Sequence, residues 1–127
     1  MKIYIMTDLE GVSGVDNPDM IQPDNARFGE SRLRLTEDTN AAIAGALDGG
    51  ATEVMVLDGH HKGYGNIIWE RIDKRARKDE RPNKNWWSSL DSSFAGTFFV
   101  GAHAMAGTKD AFLDHTQSSQ AWYDYYI

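Results

Sequence analysis

The 127-residue chain contains no cysteine. That excludes disulfides, thiolate metal sites, iron–sulfur clusters and cysteine nucleophiles at once. Basic residues are also scarce: thirteen Lys and Arg face nineteen Asp and Glu, for a formal net charge of −6. Phosphate-backbone binding needs a basic face, so a nucleic-acid partner is disfavoured. No apolar run approaches the roughly 20 residues that span a bilayer, so no membrane partner is expected. The N-terminus opens on the strand-like Lys2-Ile3-Tyr4-Ile5-Met6 without an apolar signal core and cleavage site. A soluble, cytoplasmic protein is the expectation. The composition itself, 41% hydrophobic and 25% charged, is that of a globular domain, and the length suits a single one.

Charge is unevenly spread. Residues 1–48 hold nine acids and four bases, whereas residues 70–85 hold seven bases and four acids. The second stretch, Glu70 to Asn85, has its acids interspersed, which is the pattern of a solvated helix face and not of a phosphate-binding patch.

Three segments read as buried strands: Ile3–Thr7, Glu53–Leu57 and Thr97–Val100. Each is a nearly continuous apolar run, as parallel strands covered on both faces require. Between the first two, Leu35, Thr39, Ala42 and Ala46 recur at helical spacing beside Ile43 and Leu47. Gly49-Gly50 then supplies a helix stop. After the second strand, Asn66 is placed to cap a helix beginning Ile67-Ile68-Trp69. The alternation predicts an α/β fold: an open, largely parallel sheet with helices on both faces. Residues 11–27, with Pro18 and Pro23, read as a long loop of the kind that carries function. Residues 119–127, with Trp122, Tyr123, Tyr125 and Tyr126, read as a further aromatic strand in which the sequence stops. Such a strand is expected to seek a partner, in another subunit or another copy of itself.

Ligands of open α/β sheets bind beyond the carboxyl ends of the strands. There the sequence offers Asp8-Leu9-Glu10-Gly11, Asp58-Gly59-His60-His61 and Gly101-Ala102-His103-Ala104. A lone Asp after a strand is commonly a turn residue, and a lone His commonly structural. The three strand ends together point to a metal site. Asp8 and Glu10, two apart on an extended segment, face the same side and would repel without a compensating cation or proton. Mixed carboxylate and imidazole ligands suit zinc or another first-row ion. A carboxylate with ligands on either side suits two ions, whose chemistry is hydrolysis. His115 follows soon after; on the sequence alone it is either an acid–base residue behind the ligands or an exposed loop histidine.

These motifs resemble the zinc-dependent D-aminopeptidases of bacterial dipeptide-transport operons, the DppA-like family. The resemblance rests on Thr7-Asp8-Leu9-Glu10-Gly11-Val12-Ser13-Gly14, on Arg32-Leu33 and Thr36-Glu37-Asp38-Thr39-Asn40, on Asp58-Gly59-His60, on Gly101-Ala102-His103-Ala104 and on His115, in order along almost the whole chain. It implies a two-zinc aminopeptidase acting on short peptides with an N-terminal D-residue, typically D-alanyl, assembled as a ring-like decamer. It implies that Asp8, Glu10, His60 and His103 are zinc ligands, with Asp8 the bridge, and that His115 is the catalytic histidine. Thr36 and Asn40 read as helix support. The family's members are longer, and their remaining glutamate ligand falls beyond the position of Ile127. By this resemblance residues 1–127 read as one α/β domain, the N-terminal portion of such a fold, cut within a C-terminal hairpin whose first strand the aromatic segment Trp122–Ile127 resembles. The family also tends to have an apolar strand where this chain has the basic Lys74–Asn85.

Two other readings stand beside this one. Asp8-Leu9-Glu10-Gly11 is similar to the nucleophile motif of haloacid-dehalogenase-like magnesium phosphatases, although Glu10 stands in place of their second Asp and the histidines find no role there. An inactive truncated fragment is the other.

Overall fold

A computed structural model of the chain describes residues 1–60, 65–81 and 87–116. Its sheet has four strands, β1 (Lys2–Thr7), β2 (Glu53–Asp58), β3 (Ala76–Lys78) and β4 (Phe94–Val100), in the order β3-β2-β1-β4. Every neighbouring pair is parallel. Ile5 lies level with Val56 on one side and Phe98 on the other. The single α-helix among the described residues, α1 (Phe28–Asp48), makes the crossover from β1 to β2. The open parallel α/β sheet expected from the apolar runs is therefore present.

Side-chain alternation along β1 separates two layers. Ile3 and Ile5 join Val54 and Val56 of β2 and Leu35, Ile43 and Ala46 of α1 in the main core. Burial of this face, at about 25 cal/mol per Å² of apolar surface, is what holds α1 in place. The helix stops at Gly49, and Gly50 takes the positive φ of +91°. Tyr4 points the other way, packs edge-to-face on Phe94 at 5.4 Å and donates to Asp79. Ser89 and the backbone N–H of Arg81 donate to the same Asp79 carboxylate. On the face opposite α1 the described contacts are thus made by Asp79, Arg81, Ser89 and Trp87, whose indole donates to the Met6 sulfur.

Several sequence expectations need correction. No α-helix starts at Ile67-Ile68-Trp69; the segment forms a 3-10 turn, Trp69–Arg71. Part of the reason lies in α1, where Asn40 takes the Asp73 N–H and the Arg71 carbonyl, both of which an α-helix would use in its own ladder. Thr36 Oγ1 accepts from Ile68 N at 3.0 Å, and Asn40 accepts from Asp73 N at 2.8 Å while donating to Arg71 O at 2.9 Å. Thr36 and Asn40 are therefore clamps between segments as well as helix residues. Of the charged stretch 70–85, the described residues 70–81 do not form a helix face either: they contain β3, at the edge of the described sheet. Their charge is locally balanced by Arg75–Asp73, Arg77–Glu53 and Lys78–Glu80 pairs. Charged side chains on an edge discourage further strand pairing.

β4 begins at Phe94, earlier than expected, and the described residues do not cover it on both faces: Phe98 and Phe99 are 40% and 43% exposed. Within residues 11–27, Asn17 caps a 3-10 turn, Pro18–Ile21, and Val12, Val15 and Met20 are buried in the core. His61 and the aromatic segment 119–127 lie outside the described residues.

Candidate metal centre

Two backbone hydrogen bonds fasten the segments that leave β1 and β4. Asp8 N donates to Val100 O, and Gly11 N to Gly101 O, both at 2.8 Å. This approach leaves no room for side chains. A Cβ on Gly11 would lie 2.0 Å from Ala102 O, and one on Gly101, whose φ is +73°, would lie 2.1 Å from Asp8 O. Glycine at both positions lets the Asp8–Glu10 segment and the His103 segment meet. β2, on the other side of β1, delivers His60.

Asp8, Glu10 and His60 are all buried. One ligand atom from each lies within 4.8 Å of the others. His60 Nδ1 is 3.3 Å from Asp8 Oδ1 and 2.7 Å from Glu10 Oε2. The other Asp8 oxygen, Oδ2, is 3.4 Å from His103 Nε2. The two oxygens of Asp8 thus divide between two imidazoles. His103 Nδ1 is 2.9 Å from Ala104 O. A carbonyl only accepts, so Nδ1 carries the hydrogen, and in the neutral ring Nε2 turns a lone pair toward Asp8.

Electrostatics couples the buried groups. Burial raises the Asp8 carboxyl above its usual range; the His60 contact opposes this, and Glu10 adds to it. Burial works the same way on Glu10, but its contacts with His60 and Asp8 win and hold it at about 2. His60 is disfavoured as a cation by burial, yet Asp8 and Glu10 outweigh that and push it up to about 9.

This arrangement fits a cation. Glu10 Oε2 is buried and accepts no hydrogen bond, despite its closeness to His60. The two atoms converge without the alignment of a donor and acceptor, as ligands of a shared ion do. Carboxylate oxygens with imidazole nitrogens are the donor set of zinc and its first-row neighbours.

His115 stands apart from the carboxylates and against His103: the rings stack with centroids 3.7 Å apart and planes 17° apart. His115 Nδ1 donates to Leu113 O at 2.8 Å, and its backbone N donates to Ala104 O at 3.1 Å. Asp58, a possible ligand by type, turns away from the cluster. It accepts from Asn66 Nδ2, Asn66 N and Ile67 N at 2.7, 3.1 and 3.3 Å. Asn66, read from the sequence as a helix cap, is instead a bridge, for its Nδ2 also donates to His60 O at 2.9 Å. Nothing in the sequence marks this bridge beyond an Asp at a strand end and an Asn eight residues later.

Fold and cluster together define a class: an open parallel α/β protein with a carboxylate–imidazole site at the strand ends. The family model described as D-aminopeptidase matches residues 1–127, and the chain belongs to that family. It is 35% identical over 111 residues to the D-aminopeptidase of Bacillus subtilis (strain 168), a match that covers 85% of this chain and 40% of that protein. Among solved structures it is similar to the Zn-dependent D-aminopeptidase DppA from Bacillus subtilis, described as a self-compartmentalizing protease. The TM-score is 0.81 at 34% identity, over 91% of this chain and 42% of that one. The chain thus spans about 40% of the length of the curated relative. These likenesses do not favour the haloacid-dehalogenase-like alternative. Among the described residues no helix is long and apolar enough to cross a membrane.

Proposed function

We propose that this protein is a zinc-dependent aminopeptidase that hydrolyses short peptides with an N-terminal D-amino acid, D-alanyl peptides among them. The observation that carries the reading is the division of Asp8 between His60 and His103, with Glu10 closing on His60. Asp8, Glu10, His60 and His103 are the metal ligands in this proposal. Asp8 presents one oxygen to each side, as a carboxylate shared by two ions does. When bound, zinc supplies a Lewis acid for the scissile carbonyl and lowers the pKa of water.

The chain's own residues do the rest. The Ala104 carbonyl fixes the tautomer and orientation of His103, which keeps Nε2 on the Asp8 side. Leu113 does the same for His115, so His115 Nε2 is the atom left to take or give a proton. His115 is the catalytic residue in this reading. The similarity to a relative described as self-compartmentalizing supports assembly of several copies; the ring-like decamer and the cytoplasmic location in this reading follow the family resemblance.

The test is metal content measured beside hydrolysis of D-Ala-D-Ala and L-Ala-L-Ala, before and after chelation and zinc restoration. Zinc-restored cleavage of the D-peptide is expected. Failure to bind zinc, or magnesium-dependent phosphatase activity instead, would overturn the proposal.

A further inference from the structure

We propose that Asn66 is a positioning residue for the metal centre, acting through the main chain of His60. The inference rests on the metal-site reading above and adds a residue to it. Asn66 is 4% exposed and Asp58 3%. A buried amide must find partners for both hydrogens of its NH2 group. Here one goes to Asp58 Oδ1 at 2.7 Å and the other to His60 O at 2.9 Å. Both partners are pure acceptors, which settles which end of the carboxamide faces them.

The bridge is anchored from both ends. Asp58 is the last residue of β2 and is fixed by the sheet register opposite Thr7. Beyond Asn66, Ile67 N also donates to Asp58, Ile68 N donates to Thr36 of α1, and the Arg32 guanidinium reaches Ile67 O at 3.4 Å. A side chain held between a strand end and a helix thus grips the carbonyl of the residue whose ring meets Asp8 and Glu10. No other side chain of this size offers two hydrogens from one nitrogen toward two acceptors. Loss of the grip frees the peptide unit of His60, and with it the direction of Nδ1.

The experiment compares wild type, Asn66→Ala and the exchanged pair Asp58→Asn with Asn66→Asp. The exchanged pair keeps a hydrogen bond between the two side chains but offers no side-chain donor to the His60 carbonyl. Zinc affinity is measured by competition with a chromophoric chelator, and the His60 imidazole ¹⁵N shifts are read in the metal-free chain. Thermal melts identify folded variants, and Asn66→Ser replaces Asn66→Ala if the latter does not fold. We expect zinc affinity to fall about 10- to 100-fold in Asn66→Ala, to remain low in the exchanged pair, and the His60 shifts to move in both. Affinity within about twofold of wild type, its recovery in the exchanged pair, or unmoved His60 shifts would each overturn the proposal. Moved shifts in a protein that holds no zinc even as wild type would uphold the positioning of His60 and sink the metal reading alone.

Discussion

The rings of His103 and His115 lie face to face, 3.7 Å between centroids and 17° from parallel. One ring meets the Asp8 carboxylate; the other is held by Leu113 O and by its own backbone bond to Ala104 O. Ala104 O also accepts from His103 Nδ1. A single carbonyl therefore sets the spacing between the two imidazoles.

That arrangement separates two kinds of damage. On the proposed reading, His115→Ala removes a proton-handling ring but none of the groups that meet Asp8. Turnover should fall by about 10²- to 10⁴-fold, the usual worth of a general acid or base, while zinc content stays near that of the unaltered protein. His115→Phe, which keeps a stacking ring, should match the alanine variant in activity and exceed it in stability. Metal analysis beside steady-state kinetics checks both, and parallel loss of zinc and turnover would place His115 among the ligands.

Removing one of the proposed ligands should act on the metal itself. Glu10→Gln and His60→Ala each delete one member of the three-residue cluster. Each should weaken zinc binding by more than the roughly 10- to 100-fold typical of residues that only orient ligands. Competition with a chelator measures this. Retained affinity in His60→Ala would exclude His60 from the site.

Protonation gives a third expectation, for the chain held in chelator. The folded state raises His60 from 6.5 to about 9. A raised value stabilises fully below the unfolded pKa and is lost as pH rises through the folded one. The melting temperature should therefore decline between about pH 6.5 and 9, and His60→Gln should flatten the decline. Glu10 has the opposite sign: it is lowered from 4.5 to about 2, so its contribution is present above 4.5 and lost as pH falls through about 2. A melting temperature that rises between pH 6.5 and 9 would contradict the assigned His60 contacts.

The glycine contact predicts a stability effect that acts through the backbone beneath the site. Gly101→Ala places a Cβ 2.1 Å from Asp8 O at a φ of +73°. The left-handed conformation alone costs about 1–2 kcal/mol for an L-residue, and the backbone clash adds to it. Urea unfolding should show a loss of at least about 2 kcal/mol. Gly50→Ala, also at positive φ but with nothing within 4 Å, should cost less.

Much of the fold is legible because apolar runs and helical spacing are local signals. Ile3–Thr7 and Glu53–Leu57 lie in strands, and Leu35, Thr39, Ile43 and Ala46 form the buried stripe of α1. The residues just past the strand ends are equally legible, and Asp8, Glu10, His60 and His103 do meet at one end of the sheet. The misreadings have a common origin in contacts distant along the chain. Ile67-Ile68-Trp69 looks like a helix start until Asn40, more than thirty residues earlier, takes the Asp73 amide and the Arg71 carbonyl that the helix would need. Asn66 has a cap's composition, yet its partners are a strand end and a carbonyl. β3 carries too much charge for a buried strand, and only its place at the sheet's edge accommodates that charge. β4 looks wholly apolar, but its sequence carries no signal that Phe98 and Phe99 are left partly open.

The position of β4 has a consequence for the rate at which its amides trade hydrogen with solvent. Within the described residues β4 pairs with β1 alone, whereas β1 is flanked on both sides. In a strand bonded on one side, alternate N–H groups point inward to the neighbour and outward to the margin. Deuterium should then enter β4 in every second residue, in a dotted pattern, while β1 stays uniformly dark. Uniform slowness along Phe94–Val100 would reveal that another strand, from this chain or a second copy, lies along that margin.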